Sequence, residues 1–202
     1  MTLPPNIILV ASVYRSGGTW LFNAARMLVE AAGHEVHAAW ITEHEPGAPA
    51  RFHVVKAHKP DQIGFTPWKI LTSRRDLASR LASNIRMGWL ADKPENIVTA
   101  ATNYIALEAY WRERTNLEVA FSDIVERPAK ALGEIAGALD LDTSRAQHEE
   151  IADALSRLKA PGDGGPDPVT LLHPGHRAGA GDTERIAACV RTVLKNAGLA
   201  AS

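Results

Sequence analysis

The chain reads as an α/β protein, a single domain over residues 1–202 with a central, mostly parallel sheet flanked by helices, and three observations predict this. Short apolar runs alternate with longer stretches of helical periodicity. The first run passes through a Gly-Gly turn straight into an amphipathic helix, the arrangement that makes a phosphate-binding turn after a first strand. An apolar fraction of 46% over 202 residues is enough for a sizeable core.

In chain order, the apolar runs predict strands at 7–13, 36–40, 52–56, 70–73 and 117–121. Spacings of three and four between apolar residues predict helices at 19–31, 77–89, 97–112, 129–139, 144–158 and 183–196. Gly33 is a natural stop for the first helix, and Asp182 a natural N-cap for the last. Residues 160–182 are rich in glycine and proline and too long for an ordinary connection, which suits a lid-like segment.

Composition narrows the function classes. A net charge of −1 gives no long electropositive groove, so no nucleic-acid partner is expected and any anion site must be built locally. The single cysteine, Cys189, excludes an intrachain disulfide and suits a reducing compartment. The first apolar run is too short to span a membrane and carries no basic leader, so the expected location is cytoplasmic. His34, His37 and His44 lack cysteines and a helical ligand pair, and are assigned surface or packing roles, with no metal site.

Residues 12–20, Ser-Val-Tyr-Arg-Ser-Gly-Gly-Thr-Trp, carry the strongest chemical signal. A strand that turns on glycines into a helix aims unpaired N–H groups and the positive end of the helix dipole at one point. Arg15 adds a full charge, Ser16 and Thr19 hydroxyls, and Trp20 a flat face for a purine. The pattern G-x-x-x-x-G-K-[ST] fits poorly, because Ala11 would replace its first glycine and Gly18 its lysine. The stretch resembles instead the 5′-phosphosulfate loop of the sulfotransferase family, Y-P-K-S-G-T-T-W, with Arg15 at the lysine and Trp20 at the tryptophan.

Further matches follow in the same order. Val54-Val55-Lys56-Ala57-His58-Lys59-Pro60 runs off the end of a strand, where open α/β sheets place ligands, and is similar to the family's K-T-H-x-P. Phe121-Ser122-Asp123-Ile124 with Pro128 resembles Y-E-D-[LM]-x-x-x-P, with Phe121 at the tyrosine. Ser73-Arg74-Arg75-Asp76-Leu77-Ala78-Ser79 resembles a shortened form of the family's R-x-P-x-D and following serine, so Arg74 is assigned to the nucleotide and Ser79 and Ser83 compete for the serine role. His176-Arg177-Ala178-Gly179-Ala180-Gly181-Asp182 resembles R-K-G-x-x-G-D with one residue of slippage, which gives Arg177 and Gly179 to the 3′-phosphate.

The resemblance implies a donor, 3′-phosphoadenosine 5′-phosphosulfate (PAPS), a product nucleotide, 3′-phosphoadenosine 5′-phosphate (PAP), no metal, and transfer of a sulfuryl group to a hydroxyl or amine. It implies nucleotide contacts from Arg15, Ser16, Gly17, Gly18, Thr19 and Trp20. Sulfuryl transfer resembles phosphoryl transfer, so positioning and charge stabilisation carry it. His58, titrating near neutrality in the unperturbed state, is the expected general base, with activity rising as it deprotonates. Lys56 and Arg15 are expected to stabilise the transferred group and the leaving phosphate. The alternatives are a P-loop small-molecule kinase, which needs a lysine in the loop, and a nucleotide-binding module without turnover. The motifs leave the acceptor and the oligomeric state open; Trp40, Phe65, Trp68, Met87 and Trp89 are candidates for an apolar acceptor pocket, and Glu43 or Glu45 for a substitute base.

Overall fold

The computed structural model describes residues 5–162, 165–174 and 180–199; Arg177 and Gly179 lie outside the described residues. Five strands form one sheet: β1 (Asn6–Ala11), β2 (Val36–Trp40), β3 (Phe52–Ala57), β4 (Lys69–Arg74) and β5 (Leu117–Ala120). Their order is β2-β3-β1-β4-β5, and every adjacent pair is parallel. The first strand is therefore central. Connections run from it toward β2 and β3 on one side, and the later strands lie on the other, which opens a crevice at the carboxyl end of β1.

The helices are α1 (Gly18–Ala31), α2 (Leu77–Arg86), α3 (Pro94–Arg112), α4 (Phe121–Glu126), α5 (Pro128–Ala138), α6 (Arg145–Arg157) and α7 (Ala180–Asn196). Strand β1 is buried on both faces, and its alternation divides the core. Ile8 and Val10 join the cluster under α1, α5 and α6, built on Leu21, Phe22, Leu28, Leu132 and Ile135. Leu9 and Ala11 pack on the opposite face against Ala57 and Trp111 of α3. Each fully buried aliphatic side chain contributes about 1.5–3 kcal/mol, so this double burial anchors the strand from which the glycine turn into α1 departs.

Three boundaries differ from the sequence reading. The run at 117–121 is a strand only to Ala120; Phe121 opens the short helix α4, whose first turn the extended pattern conceals. Asp182 does not cap α7, which starts at Ala180, but sits in its first turn, where its charge favours the helix dipole. Helix α2 stops at Arg86 and turns at Gly88, whose φ of 72° is left-handed, leaving Trp89 outside the helix. Ser144 caps α6 reciprocally with Gln147.

Candidate active site

The turn after β1 is held by buried hydroxyls. Ser12 Oγ accepts from the backbone N–H of Ser73 at 3.1 Å and from Ser73 Oγ at 2.9 Å. Ser16 Oγ donates to Val13 O at 2.6 Å and lies 3.1 Å from Ser73 Oγ. These bonds stitch the turn to β4. They also hold the Ser16 side chain inward, and Ser16, expected at the nucleotide, is not among the residues lining the cleft.

Two glycines are needed for close approach. Gly17 has φ 107°, and a Cβ there would lie 2.8 Å from Ile124 Cδ1. A Cβ at Gly18 would lie 2.8 Å from Ser12 Cβ. Arg15 itself is left-handed, with φ 63°, a strained conformation for a side chain of this size. No side chain caps α1; its first closing bond runs from Leu21 N–H to Gly17 O. The N–H groups of Gly18, Thr19 and Trp20 precede that bond, and all three residues line the cleft.

That cleft has a volume of about 770 Å³ and also gathers Arg15, Lys56, His58, Arg75 and Phe121. Lys56 Nζ donates to Thr19 Oγ1 at 2.6 Å, tying the third strand to the turn. Burial, with Arg15 nearby, lowers the Lys56 pKa to about 7. His58 Nδ1 lies 2.6 Å from Ser12 O. A carbonyl only accepts, so Nδ1 carries the proton and the lone pair is on Nε2. The ring is flanked by Tyr14 at 4.1 Å and Trp40 at 5.2 Å between centroids, and Trp111 Nε1 donates to His58 O at 3.1 Å. Burial first, then the charge of Lys56, lowers the His58 pKa to about 3, so the imidazole is neutral throughout the physiological range rather than titrating within it.

Arg15 donates from Nε to Ser83 Oγ at 2.9 Å, and its guanidinium lies 5.4 Å from the Trp89 ring centroid. Burial and the charges of Arg86 and Arg75 lower its pKa to about 10. Of the paired arginines, it is Arg75 that lines the cleft, 4.2 Å over the Phe121 ring. Arg74 points the other way and pairs with Glu118 at 2.9 Å, because side chains alternate along the end of β4. Arg74, expected at the nucleotide, is thus not among the residues lining the cleft. Ser79 does not line the cleft either; its N–H is capped by Asp76, whereas Ser83 is buried beneath Arg15.

Trp40, Trp89 and Glu43 line the cleft, whereas Phe65 packs on His44 and Trp68 on Phe52. Glu45 is not part of the lining. Asn23, overlooked in the sequence, bridges from α1 to Thr170 O at 2.7 Å and so fastens the segment 165–174 beside the cleft. Its position on the inner face of α1, one turn beyond Trp20, was the available signal.

No family model and no curated protein sequence matches the chain. Its structure is similar to that of mouse sulfotransferase SULT7A1 complexed with PAP, with a TM-score of 0.60 and 14% identity over 96% of this chain and 85% of that one. It is also similar to retinol dehydratase in complex with androsterone and inactive cofactor PAP, with a TM-score of 0.57 and 14% identity over 97% of this chain and 81% of that one. A second retinol dehydratase structure, with retinol and PAP, gives a TM-score of 0.57 and 14% identity over 97% and 82%. The chain has the sulfotransferase fold.

Proposed function

We propose that this cleft binds PAPS and passes its sulfuryl group to a hydroxyl, or an amine, of an acceptor. The observation that carries the reading is the convergence of three separate pieces on one point. The first turn of α1, the Lys56 ammonium held by Thr19 and the lone-pair side of His58 all serve the same cleft. The PAP bound in the structural neighbours supports it.

In this reading the 5′-phosphate side of the donor rests on the N–H groups of Gly18, Thr19 and Trp20, and Trp20 and Phe121 offer faces to the base. His58 Nε2 takes the acceptor's proton as the acceptor atom bonds to sulfur and the bond from sulfur to the bridging phosphate oxygen breaks. The electron pair stays on that oxygen, where Lys56 and Arg15 stabilise it. The donor's negative charge offsets the effect of Lys56 on the imidazole and raises its basicity toward a useful range. Arg75, on Phe121, takes the nucleotide role first given to Arg74, and Arg177 is assigned to the 3′-phosphate on its sequence match alone. A P-loop kinase is disfavoured sterically. The loop lysine would have to replace Gly18, where even a Cβ meets Ser12.

Thermal melts with PAP, AMP, GTP and ATP with magnesium test the proposal. At about a hundred times its dissociation constant, PAP should stabilise the protein by about 2.7 kcal/mol, roughly 5–10 °C, without metal. A shift with ATP and magnesium but none with PAP would transfer the assignment to a kinase. Arg177→Ala should weaken PAP far more than AMP, since only PAP carries the 3′-phosphate.

A further inference from the structure

Outside the cleft, the structure assembles three histidines from β2, β3 and the connection between them. His37 and His53 are register partners on β2 and β3, and His44, from the connection between those strands, folds back onto them. Ring centroids are 5.1 Å apart for His37 and His53, 5.1 Å for His44 and His53, and 5.7 Å for His37 and His44. His53 is fully buried. His34, nearby in sequence, packs against Phe52, on the other side of β3 from His53, the packing role expected for it.

The bonds made by these rings define one protonation pattern. His53 Nε2 lies 3.3 Å from Ala48 O, a pure acceptor, so Nε2 carries the proton and Nδ1 the lone pair. His44 Nε2, 2.9 Å from that Nδ1, must then be the donor. His37 Nε2 accepts the backbone N–H of Glu45 at 3.3 Å, so it too presents a lone pair. Residues 44–48 are thus held on the sheet through two imidazole lone pairs and one imidazole N–H. An imidazolium has no lone pair. One proton on the His44–His53 pair can be shared if His44 changes tautomer, but protonating both rings sets two N–H groups against each other, and protonating His37 does the same toward the backbone N–H of Glu45.

We propose that His37, His44 and His53 form a proton-sensitive latch that holds residues 41–51 on the sheet when neutral and releases them when protonated. The carboxylates on the same segment, Glu43 and Glu45, are exposed and are not among the groups acting on His44 or His53. The charges acting most on His44 are His53 and His37, and on His53 it is His37, with the carbonyls of Ala48 and Ala50 opposing. Phe65, from the connection between β3 and β4, closes over His44 with an uncharged ring. Arg51 turns to the Phe52 ring, on the opposite side of the strand. Burial lowers the pKa of both His44 and His53 from 6.5, so the stability they give is present above that pH and lost as pH falls below it.

The consequence reaches the cleft, because the same segment begins beside Trp40, which flanks His58, and brings Glu43 into the lining. Acidification would loosen the wall next to His58, not the phosphate turn. The latch stands on its own contacts and does not depend on the reaction assigned to the cleft.

Amide hydrogen exchange of the full chain tests it, comparing a peptide over 41–51 with one over α1, each corrected for the intrinsic pH dependence of exchange. Between pH 7.5 and 5.5 the opening of 41–51 should rise about tenfold for one imidazole freed to titrate at 6.5, and about a hundredfold for two, while α1 stays constant. The double variant His37→Gln, His53→Gln should remove this pH dependence. An unchanged wild-type profile over 41–51 overturns the latch whether or not the variant folds, as does a folded variant that keeps the dependence. PAP melts at pH 7.5 report the nucleotide site separately, so the two proposals fail independently.

Discussion

If the cleft binds PAP as proposed, Lys56 makes that binding proton-linked. With its pKa lowered to about 7, the ammonium is about nine-tenths deprotonated at pH 8, and a phosphate dianion beside it restores the charge. Binding of PAP at pH 8 should therefore take up about 0.9 proton, and the dissociation constant should weaken about sixteenfold from pH 7 to pH 8.5. The nucleotide's own phosphates, with second pKa values of about 6, are almost fully ionised across this window and contribute little, in the opposite direction. His58, at about 3, and Arg15, at about 10, lie outside it. Isothermal titration in two buffers of different ionisation enthalpy measures the proton count directly. Lys56→Met should bind more weakly at pH 7 and show no slope. A wild-type affinity that is flat from pH 7 to 8.5, or a slope that survives in Lys56→Met, would refute the assignment.

The same burial predicts a trade-off in the unliganded protein. Lys56→Met removes an ammonium held well below its ordinary 10.5, so the variant should be more stable at pH 6, by about 2–4 kcal/mol or several degrees in Tm, with the difference shrinking as pH rises toward 10.5. His58→Ala should leave PAP affinity nearly intact and cut turnover on the order of a hundredfold, whereas full turnover would remove His58 as the base. Because the imidazole is already neutral, kcat/KM for the donor should fall above pH 7 with Lys56, not rise through 6.5; a rise there would restore the simpler titration of His58. Arg75→Ala should weaken nucleotide binding while Arg74→Ala, which loses only an exposed pair with Glu118, should stay within about 1 kcal/mol in both binding and stability. Gly17→Ala should destabilise by about 1–3 kcal/mol in urea titrations, since φ 107° and contact with Ile124 both oppose a Cβ; an unchanged midpoint would mean the turn relaxes freely.

What could be read from the sequence was local. The strand, the turn on Gly17 and Gly18 and the helix from Thr19 follow from apolar spacing and glycine placement. Lys56 and His58 follow from their position at the end of a strand. A one-residue ambiguity was enough to exchange Arg74 for Arg75, because adjacent residues at a strand end face opposite sides. The helix at Phe121 was hidden by an extended-looking run of only five residues. The histidine latch depends on strand order, since only the pairing of β2 with β3 brings His37 beside His53. Protonation states were out of reach for a related reason. The sequence supplies an ordinary histidine and lysine, and it is burial, with Arg15 acting on Lys56 and Lys56 on His58, that lowers both.

The most direct measurement of the central claim is a crystal structure of the complex formed with PAP in metal-free buffer. The 5′-phosphate should lie against the first turn of α1, within hydrogen-bonding distance of Lys56 Nζ and Thr19, with His58 Nε2 facing the side from which an acceptor would approach. PAP bound with its 5′-phosphate away from Lys56 and the turn at 15–20, or failing to bind at saturating concentration, would contradict it.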